Sequence, residues 1–181
     1  MSGGEDDVSR SFGWLYPLIV VVVEHHKWAN LTPIDFCAGL DEAALAATAP
    51  GTYGGVRDTL VHIIANEQGY LAVFEESTIE PVLFQSLAFP GFDGLREMAT
   101  QTADLLITLG RNLTGDVILR GEWQGKPYAM PAAMPLIQTI NHGAEHRGHI
   151  RSTLSTHGIE PPRIDAWAYD EGTRAEDRGP S

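Results

Sequence analysis

Between Val56 and Phe74 the residues Val56, Leu60, Ile63, Ile64, Tyr70, Leu71 and Phe74 recur at three-to-four spacing. That spacing gathers them on one stripe of an α-helix and on neither face of a strand. A helix with one apolar stripe must bury it against other elements, so the rest of the chain has to supply a core. The run "APGTYGG" before it and "FPGFDG" after it are turn clusters, which bound a helix from about Val56 to Glu75.

Three further stretches have helical character. The first, "LIVVVVEHHKWANLTPIDFCAGL", reads as a helix from about Tyr16 to Leu40. Its four consecutive valines favour strand locally, and Pro33 should kink or break it. The second, "LREMATQTADLLITLGRNL", offers Met98, Ala103, Leu105, Leu106 and Leu109 to a core. The third opens at "PAAMP" and closes near "THG", where Gly158 suits a helix C-cap. Before it, "GDVILRGEWQGKPYAM" reads as a short β-hairpin, with Gly121 and Gly125 for turns and a Trp123/Tyr128 pair. Residues 76–88 have no clear period. The expected fold is therefore all-α: a four-helix bundle with a short β-hairpin before the last helix.

A chain of 181 residues suits one domain. We expect residues 1–12 to be a disordered N-terminal segment, residues 13–170 the bundle, and residues 171–181 a flexible tail, with Ile164, Trp167 and Tyr169 tucked against the helices. The apolar run near the N-terminus has an acidic flank and no small-residue cleavage site, unlike a signal peptide, and is too short to span a bilayer. The formal net charge of -12 repels phosphate backbones, which argues against nucleic acid. The lone cysteine, Cys37, excludes an internal disulfide and a CxxC zinc site, and suits a cytoplasmic location. No membrane partner is expected.

Four of the seven histidines fall in "TINHGAEHRGHIRSTLSTHG". His142 and His146 are one helical turn apart on one face, so two imidazoles can meet a single metal ion there. They lack the glutamate of the HExxH metalloproteases. On a helical wheel they lie away from the stripe of Ile137, Ile140 and Ala144. They therefore face either water or a second, polar cleft. Gly143 and Gly148 favour the cleft, because glycine within a helix is destabilising by about 1 kcal/mol and calls for a close neighbour or a cavity. A third ligand must come from elsewhere, and His62 lies on a flank of the Val56–Glu75 helix. His25 and His26 point about 100° apart, so at most one can approach the same cleft. His157 reads as a structural helix end. Glu67 sits in the middle of an apolar stripe, where a carboxylate calls for a partner or a function. Arg147 and Arg151, on the apolar side of the last helix, are the candidate partners, and a role in the site is the other reading.

"GTYGGVRDTLVHIIANEQGYL" followed by "NHGAEHRGHI" resembles the DinB family of the DinB/YfiT-like superfamily. "HKWAN" is similar to that family's Trp-Ala-Asn element, and "PRIDAWAY" to its C-terminal segment. The likeness runs from the first helix to Tyr169. It implies an up-down-down-up four-helix bundle, a homodimer, and a divalent metal (zinc, nickel or iron) on His62, His142 and His146. His149 stands where the family usually has glutamine. Some relatives are S-transferases that use a low-molecular-weight thiol, mycothiol or bacillithiol. The function to expect is a metal-dependent enzyme acting on a small molecule, a thiol-dependent S-transferase or a hydrolase, with Glu67 and His149 as candidates for proton handling. The alternative is a non-catalytic stress-response protein that binds metal or a small ligand.

Overall fold

A computed structural model describes residues 15–74, 77, 79–112, 117–123 and 125–178. The expected disordered N-terminal segment over residues 1–12 lies outside the described residues, as do residues 179–181 and the side chain of Trp123. The elements in chain order are α1 (Leu15–Cys37), α2 (Glu42–Ala46), α3 (Val56–Leu71), α4 (Val82–Ser86), α5 (Gly91–Asn112), β1 (Ile118–Trp123), β2 (Lys126–Pro131), α6 (Ala133–Thr156) and α7 (Ala166–Arg178). The two strands pair antiparallel around Gly125, whose φ of 75° suits the turn. No helix among the described residues is long and apolar enough to cross a membrane.

The long helices α1, α3, α5 and α6 make the bundle, with α1 and α3 each packed against both α5 and α6. Their directions follow from which ends share a core. Ile34 and Cys37 near the end of α1 meet Val56 and Leu60 at the start of α3, Leu95 and Ala99 at the start of α5, and Ile150 and Leu154 at the end of α6. A second cluster joins Val23 of α1 to Leu71, Leu106, Leu109 and Leu136 at the opposite ends. Thus α1 and α6 run one way and α3 and α5 the other, the up-down-down-up order.

Pro33 does not break α1, which continues to Cys37. Three short or late helices escape a reading by period. Asp41 caps α2 by accepting from the Ala44 amide at 2.8 Å. The α4 helix lies in the stretch without a clear period. The α7 helix covers much of the sequence that reads as a polar tail. Its docking follows expectation at Tyr169, whose ring meets His25 and Trp28 of α1, but not at Trp167, which is 76% exposed.

A buried polar layer separates the two apolar clusters. His26 Nε2 is 2.9 Å from Glu67 Oε1, and the Asn30 amide donates to the same oxygen at 2.8 Å. Arg147 donates to Asn30 Oδ1, and Thr102 Oγ1 lies 3.4 Å from Glu67 Oε2. Glu67 is thus held by His26 and Asn30, and the expected partner Arg147 reaches it through Asn30. Burial pulls the Arg147 guanidinium down to about 10, with the Glu67 charge opposing the shift, so it stays charged at neutral pH. Gly143 of α6 packs on this layer. A Cβ there would fall 2.7 Å from His26 Cε1 and 2.8 Å from Arg147 Nη1, whereas one on Gly148 would meet nothing within 4 Å. The expected close approach is therefore at Gly143 alone. Gly143→Ala should destabilise the fold by about 1–3 kcal/mol through overpacking. Gly148→Ala should be neutral or stabilising by up to about 1 kcal/mol. Urea melts of the two variants check this, and equal midpoints would contradict the packing at Gly143.

Candidate metal centre

The α6 helix buries Leu136, Thr139, His142, Gly143, His146, Arg147, Ile150 and Leu154 on one face. That face corrects the phase expected from Ile137, Ile140 and Ala144. Ile137 is 48% exposed and Ala144 is exposed, while Ile140 is half-buried at the edge of a cluster. The histidines are on the main buried face, turned toward α3. Its polarity hides it from a reading by hydrophobic period.

His62, one turn and a half into α3, lies opposite them. The ligand nitrogens of His62, His142 and His146 all fall within 4.8 Å of one another. Nε2 of His142 is 3.1 Å from Nε2 of His62. Two imidazole nitrogens bound to one ion at about 2.0–2.1 Å stand about 2.9–3.4 Å apart, so this pair already has the spacing of adjacent ligands. Nδ1 of His142 is buried without a hydrogen-bond partner among the described residues. Metal on Nε2 would leave that atom unpaired as well, so the fit rests on the donor set: three imidazole nitrogens close enough to share one ion, which suits a divalent cation.

The other ring nitrogens are engaged. The Asn66 amide donates to the His62 carbonyl at 2.9 Å and rests against the His62 ring, 3.1 Å from Nδ1 and 3.4 Å from Nε2. His149 Nδ1 is 3.2 Å from His146 Nδ1, which leaves His146 Nε2. Such outer contacts fix tautomer and ring orientation in metal sites. Tyr53 stacks on His62 with ring centroids 3.8 Å apart, and the Tyr70 ring stands edge-on to His142 at 5.6 Å. Neither Tyr53 nor Asn66 stands out in the sequence reading. Asn66 had a usable signal, its i+4 spacing from His62, while Tyr53 sat in a stretch that reads only as a turn.

His25 and His26 both lie outside this cluster. His25 Nε2 bonds to the Ile164 carbonyl at 3.0 Å, and His26 belongs to the polar layer. Trp28 packs on Tyr169 of α7. His157 caps α6, its Nδ1 2.9 Å from the Thr153 carbonyl.

Burial, and then the neighbouring His146, pull His62 down to about 4. Burial first, then His146 and His62, pull His142 to about 4 against an opposing pull from Glu67. Burial and His149 lower His146 too. The three rings are neutral at pH 7, the form that binds metal. The sign of the pH effect follows. An unfolded histidine titrates near 6.5, so between about 6.5 and 4 the unfolded chain binds more protons than the folded one. Stability of the metal-free protein should therefore fall as pH is lowered through that window, with these rings adding no pH dependence above it. Urea melts from pH 7.5 to 4 check this, and the slope should shrink in His62→Ala.

A helix bundle carrying three convergent, neutral histidines between two of its long helices is compatible with a metal-binding protein. The sequence also matches the model of the DinB family over residues 15–179, and the chain belongs to that family. No curated protein matches the chain.

Proposed function

We propose that the chain is a metal-dependent enzyme in which His62, His142 and His146 hold one divalent cation, zinc, nickel or iron, and an external nucleophile is activated beside it. The observation that carries this reading is the convergence of three neutral imidazoles from two helices, one pair already at 3.1 Å. A cation with three imidazole ligands and an open position supplies a Lewis acid that lowers the pKa of a water or thiol. The net charge of -12 favours cation uptake.

The chain's own residues narrow the chemistry. Cys37 is fully buried, and burial pushes its thiol up to about 12, so it is no nucleophile. A thiol reaction therefore needs an external low-molecular-weight thiol, of the mycothiol or bacillithiol kind. His149 contacts the ring of His146, and Asn66 rests against that of His62, which supports a positioning role for both. His149, half-buried and in contact with His146 Nδ1, could receive the nucleophile's proton only by way of the His146 ring or a bridging water, and that relay is the role we assign it. Glu67 has both oxygens engaged in the buried layer, which supports a positioning role.

The test is turnover by zinc-, nickel- and iron-loaded protein with bacillithiol or mycothiol and 1-chloro-2,4-dinitrobenzene, beside p-nitrophenyl acetate for hydrolysis. Thiol-dependent turnover that disappears on chelation supports the transferase, and ester turnover the hydrolase. The stacking of Tyr53 over His62 favours one other reading, a non-catalytic protein that binds metal or a small ligand. Stoichiometric metal without turnover on a wider panel of electrophiles and esters would establish that one.

A further inference from the structure

A cavity of about 520 Å³ opens between α3, α4, β2 and the start of α6. That volume lies in the range of small-molecule sites. Its walls are Tyr70, Val73, Phe84, Tyr128, Met130 and Met134, and none of its lining residues is charged. Strand alternation builds one wall: along β2, Tyr128 and Met130 are half-buried while their neighbours are exposed. Gly69 builds another, since a Cβ there would fall 2.8 Å from the Phe84 ring.

The cavity begins where the histidine cluster ends. Asn66 lines the cavity and also contacts the His62 ring, and Tyr70 lines it and also meets the edge of His142. Gln138, one turn before His142 on α6, completes that border. Thus the polar groups of the lining include Asn66 and Gln138 at the metal end, and the far end is thioether and aromatic. Methionine adapts to irregular shapes and makes favourable contacts with aromatic rings.

We infer that this cavity is the substrate's apolar subsite: it takes a neutral aromatic body, and the ligand's single polar, reacting end lies at the histidines. The polar end of this assignment rests on the metal reading, while the cavity itself does not.

Two calorimetric titrations separate the two. Zinc-loaded protein is titrated with acetohydroxamate and with 2-naphthohydroxamate, which share a chelating head. The naphthyl compound should bind at least about tenfold tighter, because its rings leave water for the cavity. In the double variant Met130→Gln/Met134→Gln that ratio should fall toward one. Gly69→Ala, which displaces Phe84, should lower it as well. Equal affinities in the unaltered protein would overturn the inference and leave the metal reading intact. Failure of the protein to load with zinc, or of both hydroxamates to bind once it is loaded, would overturn the reading of an open metal centre. In that case metal-free protein and 2-naphthol decide for the cavity: saturable binding, weakened at least about fivefold in the double variant, supports it, and no saturable binding overturns it.

Discussion

Glu67→Ala should destabilise the protein by about 3–5 kcal/mol, the range for breaking a buried charged network from one side. The reason is what the carboxylate leaves behind. His26, Asn30 and Thr102 lose an acceptor, and Arg147 stays buried with its charge uncompensated. Total stabilities of single domains are about 5–15 kcal/mol, so the variant should be close to unfolding at 37 °C. Glu67→Gln keeps an oxygen acceptor and should lose less, about 1–3 kcal/mol. Urea melts of the three proteins decide it. A loss below about 1 kcal/mol for Glu67→Ala would show that the layer holds nothing together. A variant Glu67→Gln of near-normal stability with no turnover would instead return Glu67 to proton handling.

His142→Ala should remove stoichiometric metal, with affinity falling at least about 100-fold, beyond the 10–100-fold typical of losing an outer contact. His142 supplies one half of the close nitrogen pair, its Nε2 3.1 Å from that of His62. Its centroid stands 4.3 Å from that of His146 and 4.9 Å from that of His62. Without it, two imidazoles on different helices remain. Asn66→Ala, which frees the His62 ring, should fall in the smaller, 10–100-fold range. Equilibrium dialysis against zinc, read by elemental analysis, checks both. Metal bound equally by His142→Ala and the unaltered chain would sink the proposed centre.

How much of this was legible in the sequence depended on how each face is built. The α3 stripe was plain because Val56, Leu60, Ile63, Ile64 and Leu71 are apolar and buried together. The pairing of His142 with His146 was plain because i and i+4 always share a face. The phase of α6 was not. Its buried face carries Thr139, His142, Gly143, His146 and Arg147, so hydrophobicity pointed to the wrong side. Only a convergence of two helices can show that polar residues face inward. The partner of Glu67 was missed in part for the same reason. Arginine was the expected match, but Asn30 and His26 of α1 stand between, and no spacing rule links residues so distant in sequence. The docking of α7 was half legible, at Tyr169 and not at Trp167.

The polar layer also fixes the register of the bundle. Apolar cores tolerate sliding, because one leucine can replace another against the same wall. Here a shift of α1, α3 or α6 by one turn, about 5.4 Å, would press a charged or amide side chain into an apolar cluster. Glu67 would move toward Val23, Leu106 and Leu136, or Arg147 toward Ile34, Leu60 and Leu95, each without its partners. Each stranded ion carries a penalty of several kcal/mol. The alignment that satisfies Glu67 and Arg147 is also the one that brings His62 opposite His142, so a single vertical setting of α3 against α6 serves the fold and the candidate centre together.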